Sequence, residues 1–411
     1  MWPVTAPPIP NGSVLVDSQG RIAALGPEES VPRPPDAEPL RYPDAALLPG
    51  LVNAHTHLEL TGLRGRIAEP DFFQWIQHVR RAQEETPDAV YLEWAREGVR
   101  ETWRYGTTTV ADTGTSDAVV RALSELGGAG VVYHEAIHLD AGRAEATLAT
   151  VRDTVARLRR EAGPRIAVGV SPHAPYTVSR TLYRRVAEYA RAEGLPLAGH
   201  IAESAAEMAF VSAGRGPFAD AWRERGIPLG PQAASPVRLL EDLGVLGPDF
   251  LAIHAVQVDD RDADALARAG SAVVACPRSN ARHGHGAPPL ARYLERGLRL
   301  GLGSDSVASV DAPDLLAEAR EARWLAGLSA EAALGLATLG GAAALGRASD
   351  IGSLEPGKWA DLVVVRLGRP LPTLTDLAAE AILLARPEDI VATFVSGRPV
   401  YQAQAGGASP A

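Results

Sequence analysis

Short apolar runs alternate with longer helical patterns along most of this 411-residue chain. The runs that predict β-strands are Leu47–His57, Gly106–Thr113, Ala129–Ile137, Arg165–Pro172, Leu195–Ala202, Phe250–Val256, Ser271–Pro277 and Leu298–Asp305. Such alternation is typical of βα units, and eight units over roughly 300 residues predict an α/β fold, a (β/α)₈ TIM-type barrel. The alternative, a doubly wound sheet, would place a glycine-rich loop after the first strand, where His-Thr-His stands instead.

Strand patterns near both termini indicate a second, smaller unit. Ser13–Asp17 and Arg21–Leu25 flank a turn and predict a hairpin. Gly352–Val365 predicts a turn and a strand, and Ile390–Tyr401 predicts a closing hairpin. The predicted organisation is a small flanking β-sandwich built from 1–46 and 350–402, a barrel over 47–349, and a flexible tail over 403–411.

The segment from Ser204 to Asp249, between the fifth and sixth predicted strands, is too long for a plain helical connection. Long insertions of this kind on a barrel usually shape the pocket. The alternative is an additional packing helix, and the sequence favours neither interpretation.

The composition excludes several classes of function. Acidic residues outnumber basic ones, 50 against 40, and no basic stripe indicates a nucleic-acid partner. The N-terminus lacks a signal-peptide pattern, and no apolar run approaches the length of a membrane span. Cys276 is the only cysteine, so no disulfide can form within the chain. We expect a cytoplasmic protein that binds no membrane and no nucleic acid.

Histidines and carboxylates follow one predicted strand after another. The side chains at these strand ends are His55, His57, His173, His200, Glu203, His254 and Asp305. The carboxyl ends of the strands form the active face of a barrel, so we expect these side chains to converge. Only ten histidines are available, and chance would scatter several of them over helices.

Four of these side chains suit a divalent metal ion. His55 and His57 are two residues apart in a strand, so their rings should project to the same side. Together with His200 and Asp305 they would supply three nitrogens and one carboxylate oxygen. This donor set suits zinc, with iron as the alternative, and the metal would lower the pKa of a bound water.

The remaining strand-end residues suggest acid–base chemistry. Glu203, just past a strand end, is in a position to take a proton from the water and pass it to a substrate. His254 would polarise the substrate or orient the water. The catalytic candidates are therefore Glu203, His254 and Asp305. The alternative for Glu203 is an exposed carboxylate at the start of a helix.

These residues lie in motifs that resemble a known family. The motifs are Pro49–His57, Gly106–Thr109, Ser171–Thr177, His200–Ser204, His254–Val256, Cys276–Asn280, Gly301–Ser306 and Pro356–Leu362. In this order they resemble the amidohydrolase superfamily, in its branch of aromatic-amine deaminases and chlorohydrolases. The resemblance implies a barrel with a flanking β-sandwich and one metal held by the four ligand candidates. It also implies Glu203 as proton shuttle and His254 beside the water.

The position of the single lysine bears on how many metal ions the site can hold. Many relatives hold two metals bridged by a carboxylated lysine inside the barrel. Lys358 is the only lysine and lies after the eighth predicted strand, so that centre cannot form here. Glu135, on the third strand, is an alternative bridge to a second metal, but we interpret it as a buried carboxylate.

Further motifs narrow the substrate class. They are Phe72–Ile76, the spacing of Glu203 and Glu207, Gly214–Phe218 and Ser235–Val237. These look similar to deaminases of aminodeoxyfutalosine, an adenine nucleoside of menaquinone synthesis.

The same resemblance implies three substrate contacts. In adenosine-type deaminases an aromatic residue and a glutamate on the first loop contact base and ribose, and Trp75 and Glu84 match them by spacing. His173 is the matching contact from the fourth strand. The alternative for Trp75 is the core anchor of a helix. His283 and His285 depart from the family pattern and receive no role.

Taken together, the sequence predicts a metal-dependent hydrolytic deaminase with one divalent metal. Its substrate would be an aromatic amine, an adenine nucleoside such as aminodeoxyfutalosine. The alternatives are a chlorohydrolase, another C–N hydrolase of the same fold, or a non-catalytic binding relative. The expected partner is a small-molecule substrate, and a homodimer is compatible with the sequence.

Overall fold

The computed structural model of the chain describes residues 1–367 and 375–403. Its strands are β1 (Gly12–Val16), β2 (Ile22–Pro27), β3 (Ala45–Pro49), β4 (Leu51–Thr56), β5 (Thr107–Gly114), β6 (Ala129–Ala136), β7 (Ile166–Pro172), β8 (Leu197–Ile201), β9 (Phe250–His254), β10 (Ala272–Ala275), β11 (Arg299–Leu302), β12 (Leu362–Arg366), β13 (Ile390–Val395) and β14 (Arg398–Gln402).

Helices separate most of these strands. They are α1 (Phe72–Glu85), α2 (Asp88–Arg104), α3 (Ala118–Leu126), α4 (Ala144–Glu161), α5 (Arg180–Glu193), α6 (Ala205–Ala213), α7 (Pro217–Arg223), α8 (Pro236–Asp242), α9 (Asp260–Ala269), α10 (Pro277–Arg282), α11 (Leu290–Glu295), α12 (Leu315–Ala326), α13 (Ala330–Gly335), α14 (Gly341–Ala344) and α15 (Thr375–Leu383). In the described part of the chain, no helix combines the length and the apolarity needed to cross a membrane. The predicted tail lies outside the described residues from 404 onward.

Within the described residues, the eight strands β4 to β11 form one parallel sheet whose spatial order follows the chain. Thr56 forms a bridge with Asp305, and the Asp305 N–H donates to the carbonyl oxygen of His55 at 3.0 Å. This contact brings the end of the last strand beside the first and nearly closes the barrel. The predicted (β/α)₈ barrel is confirmed. A doubly wound sheet is excluded, because its strand order would reverse part-way.

Side-chain alternation along the strands separates two apolar layers. Val131 and Tyr133 of β6 belong to a cluster drawn from the strands, whereas Val132 between them packs outward with the helices. In β9, Leu251 and Ile253 belong to the inner cluster in the same way. Because both faces of the sheet are covered, the strands are apolar nearly throughout. The barrel interior is therefore a packed core, and its polar side chains gather at the strand ends.

The first predicted strand, Leu47–His57, is two strands in the structure, so that prediction is wrong. β3 pairs antiparallel with β12, whereas β4 pairs parallel with β5. The change of sheet falls at Gly50, whose N–H donates to the carbonyl oxygen of Asp361 at 2.8 Å. A Cβ on Gly50 would lie 2.1 Å from the Thr108 hydroxyl oxygen, so only glycine fits this crossing.

The predicted β-sandwich is also confirmed. Among the described residues, β3, β12, β13 and β14 form a four-stranded antiparallel sheet, and β1 pairs with β2 in a hairpin. Leu362, Val364 and Phe394 of the sheet share one buried cluster with Ile22 of the hairpin. Strands from both termini thus pack on each other beside the barrel. The division of the chain into domains at particular residues stays a prediction.

Helices α6, α7 and α8 fill the long segment between β8 and β9. Phe218 of α7 stacks on Tyr176 with ring centroids 4.0 Å apart and lies 6.4 Å from the ring of Phe72 in α1. The insertion therefore contributes an aromatic side chain to the region beyond the strand ends, which favours the pocket-shaping interpretation.

Candidate active site

Three histidine side chains meet at the carboxyl end of the barrel. His55 lies in β4 and His57 directly follows it, so alternation along the strand points both rings to the same side. His200, in β8, lies opposite them, with its ring centroid 5.0 Å from that of His55 and 5.5 Å from that of His57. One ligand nitrogen from each ring lies within 4.8 Å of the others. A single ion can contact all three.

Asp305 adds a carboxylate to this cluster. Its Oδ1 lies 3.3 Å from Nε2 of His55 and 3.5 Å from Nε2 of His57. The hydroxyls of Ser279 and Ser309 donate to its other oxygen, Oδ2. Burial alone would raise the pKa of Asp305, but the close contact with His55 and the neighbouring imidazoles hold it well below its usual range. The group is therefore an ionised carboxylate.

These four side chains fit a divalent metal ion. Among the described residues, both ring nitrogens of His55 are buried without a hydrogen-bond partner, an arrangement that is costly unless a ligand completes it. Nδ1 of His200 donates to the carbonyl oxygen of His173 at 3.1 Å, so Nε2 keeps its lone pair. Burial lowers the pKa of all three histidines and favours the neutral form that binds metal. Three nitrogens and one carboxylate oxygen suit zinc.

Glu203 follows β8 and is 4% exposed, so the alternative of an exposed helix-start carboxylate is wrong. Its Oε1 lies 3.5 Å from Nε2 of His254 and 3.5 Å from Nε2 of His285. Burial raises the pKa of Glu203, but these two imidazoles outweigh burial and lower it to about 2. Glu207 holds the backbone of this segment, because its carboxyl oxygens accept the N–H groups of Ala202 and Glu203, both at 2.8 Å.

His254, at the end of β9, lies between the metal ligands and Glu203. Its ring centroid is 5.5 Å from that of His55 and 5.6 Å from that of His200. Nδ1 lies 3.0 Å from the side-chain carbonyl oxygen of Asn280, which can only accept, so Nδ1 carries a hydrogen. Burial lowers the pKa of His254. The neutral ring thus presents the lone pair of Nε2 to the centre of the site.

The backbone at these strand ends is strained. Ala202, His254 and Asp305 have φ angles of 52°, 71° and 59°, in the left-handed region that non-glycine residues rarely adopt. Such conformations cost about 1–3 kcal/mol each and persist where the surroundings fix them. All three occur next to or within the candidate metal and proton-transfer residues. Other non-glycine residues with positive φ angles lie elsewhere among the described residues, at Val4, Asn11, Asp44 and Ser396, so only part of this strain belongs to the polar end of the barrel.

The comparison with protein families is decisive at this point. The model of the amidohydrolase family matches residues 46–400, which is most of the chain and includes every strand of the barrel. The chain belongs to the amidohydrolase family. The predicted family resemblance is therefore confirmed, and the candidate residues lie inside the matched region.

Individual relatives of this amidohydrolase agree with the family match. The chain is 35% identical over 408 residues to a 5-methylthioadenosine/S-adenosylhomocysteine deaminase of Symbiobacterium thermophilum, covering 95% of this chain and 89% of that protein. It is 33% identical over 330 residues to the aminodeoxyfutalosine deaminase of Deinococcus radiodurans, covering 75% and 77%. An adenosine deaminase structure from Xanthomonas campestris with bound zinc is 28% identical, with a TM-score of 0.79 over 97% of this chain and 90% of that one. The predicted enzyme class, a hydrolase related to deaminases, is confirmed.

An aromatic wall flanks the polar site of this amidohydrolase. It consists of Phe72, Trp75, Tyr176, Phe218, His283 and His285. The ring of Phe72 meets that of His285 edge-on, with centroids 4.4 Å apart. Trp75, partly buried in α1, meets the ring of His283 in the same way at 4.6 Å. The structure therefore brings Trp75 to the loop that carries His285, and through it toward Glu203.

His173, the third predicted substrate contact, directly follows β7. Its ring centroid lies 4.9 Å from that of His200. Nδ1 and the hydroxyl of Thr177 form a hydrogen bond at 2.8 Å, which fixes the direction of the ring. Burial lowers the pKa of His173 to about 4, with a smaller contribution from neighbouring histidines. A neutral ring therefore stands at the edge of the predicted metal centre.

Glu84 is not brought to the site. It lies in the last turn of α1, nine residues after Trp75, which corresponds to about 13 Å along a helix. Its side chain is 65% exposed and lies 3.5 Å from Nε of Arg80, one turn earlier. Spacing in the sequence matched Glu84 to a ribose contact, but the direction of α1 carries it away from the histidines.

Two residues bear on the predicted number of metals. Lys358 donates to the carbonyl oxygen of Ala348 at 2.7 Å and to the hydroxyl of Ser353 at 2.6 Å, so its ammonium group is committed there. Glu135, at the end of β6, has a ligand oxygen within 4.8 Å of ligand nitrogens of His173 and His200. Burial raises the pKa of Glu135 to about 8. Without a second cation nearby, burial thus favours the protonated form of Glu135, as expected for a buried carboxyl group.

Sequence reasoning gave no role to several residues that complete the site. Asn280 and Ser279 lie inside the motif Cys276–Asn280, so the sequence does contain a signal for them. The sequence distinguishes Glu207 only by its spacing from Glu203. His285 carried no signal, because its contact with Glu203 depends on the path of a loop.

Proposed function

We propose that this amidohydrolase is a zinc-dependent deaminase that removes the amino group of an adenine nucleoside by hydrolysis. Aminodeoxyfutalosine is the first candidate substrate. One observation carries the proposal: the side chains that fit a metal ion converge beside a buried, ionised Glu203. The names of the two curated relatives, both deaminases of adenine nucleosides, support the substrate class.

The proposed ligands are His55, His57, His200 and Asp305. A zinc ion held by them supplies Lewis-acid chemistry that makes a water molecule more acidic. Asp305 stays ionised and accepts a hydrogen bond from that water. The ligand set is complete without Glu135, so the proposal is for one divalent metal.

Glu203 moves the protons in this scheme. The water oxygen bonds to the carbon that carries the amino group, and Glu203 takes a proton from the water. Glu203 then delivers this proton to the adjacent ring nitrogen. The remaining proton of the water passes to the amino nitrogen, the C–N bond breaks, and the nitrogen leaves as ammonia. The former water oxygen stays on the carbon as a carbonyl oxygen. His254, with the lone pair of Nε2 facing inward, orients the attacking water.

Phe72, Trp75, Tyr176 and Phe218 of the aromatic wall, together with His173, would hold the substrate. Flat apolar side chains favour a planar purine ring by stacking and by edge contacts. Trp75 and His173 are the proposed contacts with the base. Since Glu84 is exposed and paired with Arg80, it has no part in the proposed site.

The test is a substrate panel with purified protein. Ammonia release would be measured with aminodeoxyfutalosine, 5-methylthioadenosine and adenosine, and chloride release with chlorotriazines. The proposal expects ammonia from at least one adenine nucleoside. Chloride release alone would favour a chlorohydrolase, and no turnover by the metal-loaded protein would favour a non-catalytic relative.

We also propose a cytoplasmic location and a homodimer. Cys276, the only cysteine in the sequence, is a buried free thiol, and free thiols are typical of reducing compartments, which supports the location. Trp324 of α12, 79% exposed, offers an apolar side chain of the kind enriched in interfaces. Cell fractionation and light scattering of the purified protein test the two proposals separately.

A further inference from the structure

We infer that His285 is a positioning residue that donates a hydrogen bond through Nε2 to the carboxylate of Glu203 and fixes the direction of that carboxylate. The inference rests on the proposed role of Glu203 as proton shuttle. It assigns a function to the loop that follows α10.

The first support is the approach of the two groups. Nε2 of His285 lies 3.5 Å from Oε1 of Glu203. His285 is 6% exposed, and within the described part of the chain its Nε2 has no hydrogen-bond partner. The distance is at the outer limit of a hydrogen bond, and catalytic hydrogen bonds are often long before substrate binds. A buried donor therefore faces a buried acceptor.

The second support comes from His254, the other imidazole at Oε1 of Glu203. Its Nδ1 carries the hydrogen that Asn280 accepts, so a neutral His254 has no hydrogen on Nε2. Two lone pairs would then face each other across 3.5 Å. A carboxylate needs a donor when it is buried, and His285 is the neighbour that can supply one. In this arrangement His254 orients the water and His285 orients the carboxylate of Glu203.

The third support is that His285 itself is held from several sides. Its N–H donates to the carbonyl oxygen of Asn280 at 2.9 Å, and its own carbonyl oxygen accepts from Nε2 of Gln257 at 2.6 Å. The ring of Phe72 covers one side at 4.4 Å. Gly286, with φ of 98°, lets the chain turn directly after it. Because the side chain of His285 is fixed in this way, it can hold the carboxylate of Glu203 in one orientation.

The consequence is an effect on kcat rather than on KM. Glu203 must reach the water first and a ring nitrogen afterwards, so its freedom of movement sets how often it is aligned. Partners that orient metal ligands typically contribute about 10- to 100-fold in metal affinity or activity, and we expect a similar factor for a partner that orients Glu203. Substrate contacts, by comparison, act mainly on KM.

The experiment compares His285→Phe, which keeps the ring without a donor, with His285→Gln, which keeps an N–H donor. His283→Gln on the same loop is the matched control, since His283 meets Trp75 and not Glu203. We expect His285→Phe to lower kcat about 10- to 100-fold with KM and metal content little changed. His285→Gln should recover most of that loss, and His283→Gln should act on KM alone.

A second measurement does not depend on activity. With selectively ¹⁵N-labelled histidine, the Nε2–H proton of His285 should resonate downfield and shift in Glu203→Gln. An unshifted resonance, or a kcat of His285→Phe within twofold of the wild type, would overturn the inference. If the resonance shifts as expected but the wild-type protein releases no ammonia, the proposed function fails while the pairing of His285 with Glu203 stands.

Discussion

The two ends of the barrel differ in the partners that they give to buried charged groups. At the amino end, Arg165 donates to both carboxylate oxygens of Asp361 at 2.9 and 2.7 Å, and the N–H of Ser396 donates to the same carboxylate at 2.9 Å. The ring of Trp359 lies 4.0 Å from the guanidinium of Arg21 and 4.3 Å from that of Arg165. Here charges meet partners of opposite sign, and the barrel is joined to the sandwich.

At the carboxyl end, the buried carboxylates of Asp305 and Glu203 face imidazoles instead of guanidinium groups. Both ring nitrogens of His55 lack a hydrogen bond within the described residues. Buried nitrogens without a partner cost stability, as expected for a site that is completed by a ligand. The comparison teaches that one end of the barrel holds the fold together and the other is kept for chemistry. Each prediction below tests whether these two tasks are separate.

The largest effect is expected at the carboxyl end from Glu203→Gln. The substitution keeps shape and a hydrogen-bonding group but removes the proton acceptor, so kcat should fall by about 10⁴, the upper end for a general acid–base residue. Metal content should remain that of the wild type, because Glu203 is not a proposed ligand. The measurements are ammonia release and metal analysis on the same sample. A fully active variant would end the mechanism, and an inactive variant without metal would make Glu203 a ligand.

The second prediction concerns the amino end. Asp361→Asn removes one partner of a buried ion pair whose side chains are 8% and 3% exposed, and leaves the Arg165 charge uncompensated. Removing one partner of such a pair typically lowers the free energy of unfolding by about 3–5 kcal/mol. Denaturant unfolding should show this loss, while kcat of the folded protein stays unchanged. A large fall in kcat without a loss of stability would contradict the claim that the amino end serves stability and the carboxyl end serves catalysis.

The smallest effects are expected along α1. Trp75→Ala should raise KM for an adenine nucleoside roughly two- to twelvefold, because an aromatic contact contributes about 0.5–1.5 kcal/mol. Glu84→Ala should leave KM unchanged, since the side chain is exposed and paired with Arg80. Steady-state kinetics on the two variants, side by side, checks both values. An increase in KM for Glu84→Ala would show that Glu84 contacts the substrate, as its spacing in the sequence predicted.

The features that could be predicted from the sequence are those that depend on local patterns, namely the barrel strands and the polar residues at their ends. His55 and His57 share a strand, and strand ends converge in a barrel, so the polar cluster could be predicted without coordinates. The break at Gly50 could not, because the apolar run is continuous and the steric reason is Thr108, more than fifty residues away. The pair Arg165–Asp361 spans 196 residues and follows no periodicity.

The direction of side chains outside the barrel strands could not be predicted from the sequence either. Spacing alone placed Glu84 and Trp75 together on the first loop and helix, but the orientation of α1 brings only Trp75 to the site. Likewise, His285 contacts Glu203 because of turns at Gly284 and Gly286, where φ is 67° and 98°. Such loop geometry depends on packing and not on a repeating pattern.

The central claim is that the carboxyl end of the barrel is built around one metal ion. Metal analysis of protein purified without chelator, with His200→Ala beside the wild type, tests it most directly. The account predicts close to one equivalent of zinc or iron per chain in the wild type, and loss of both metal and activity in His200→Ala. Two tightly held equivalents, or a metal-free protein with full activity, would contradict it.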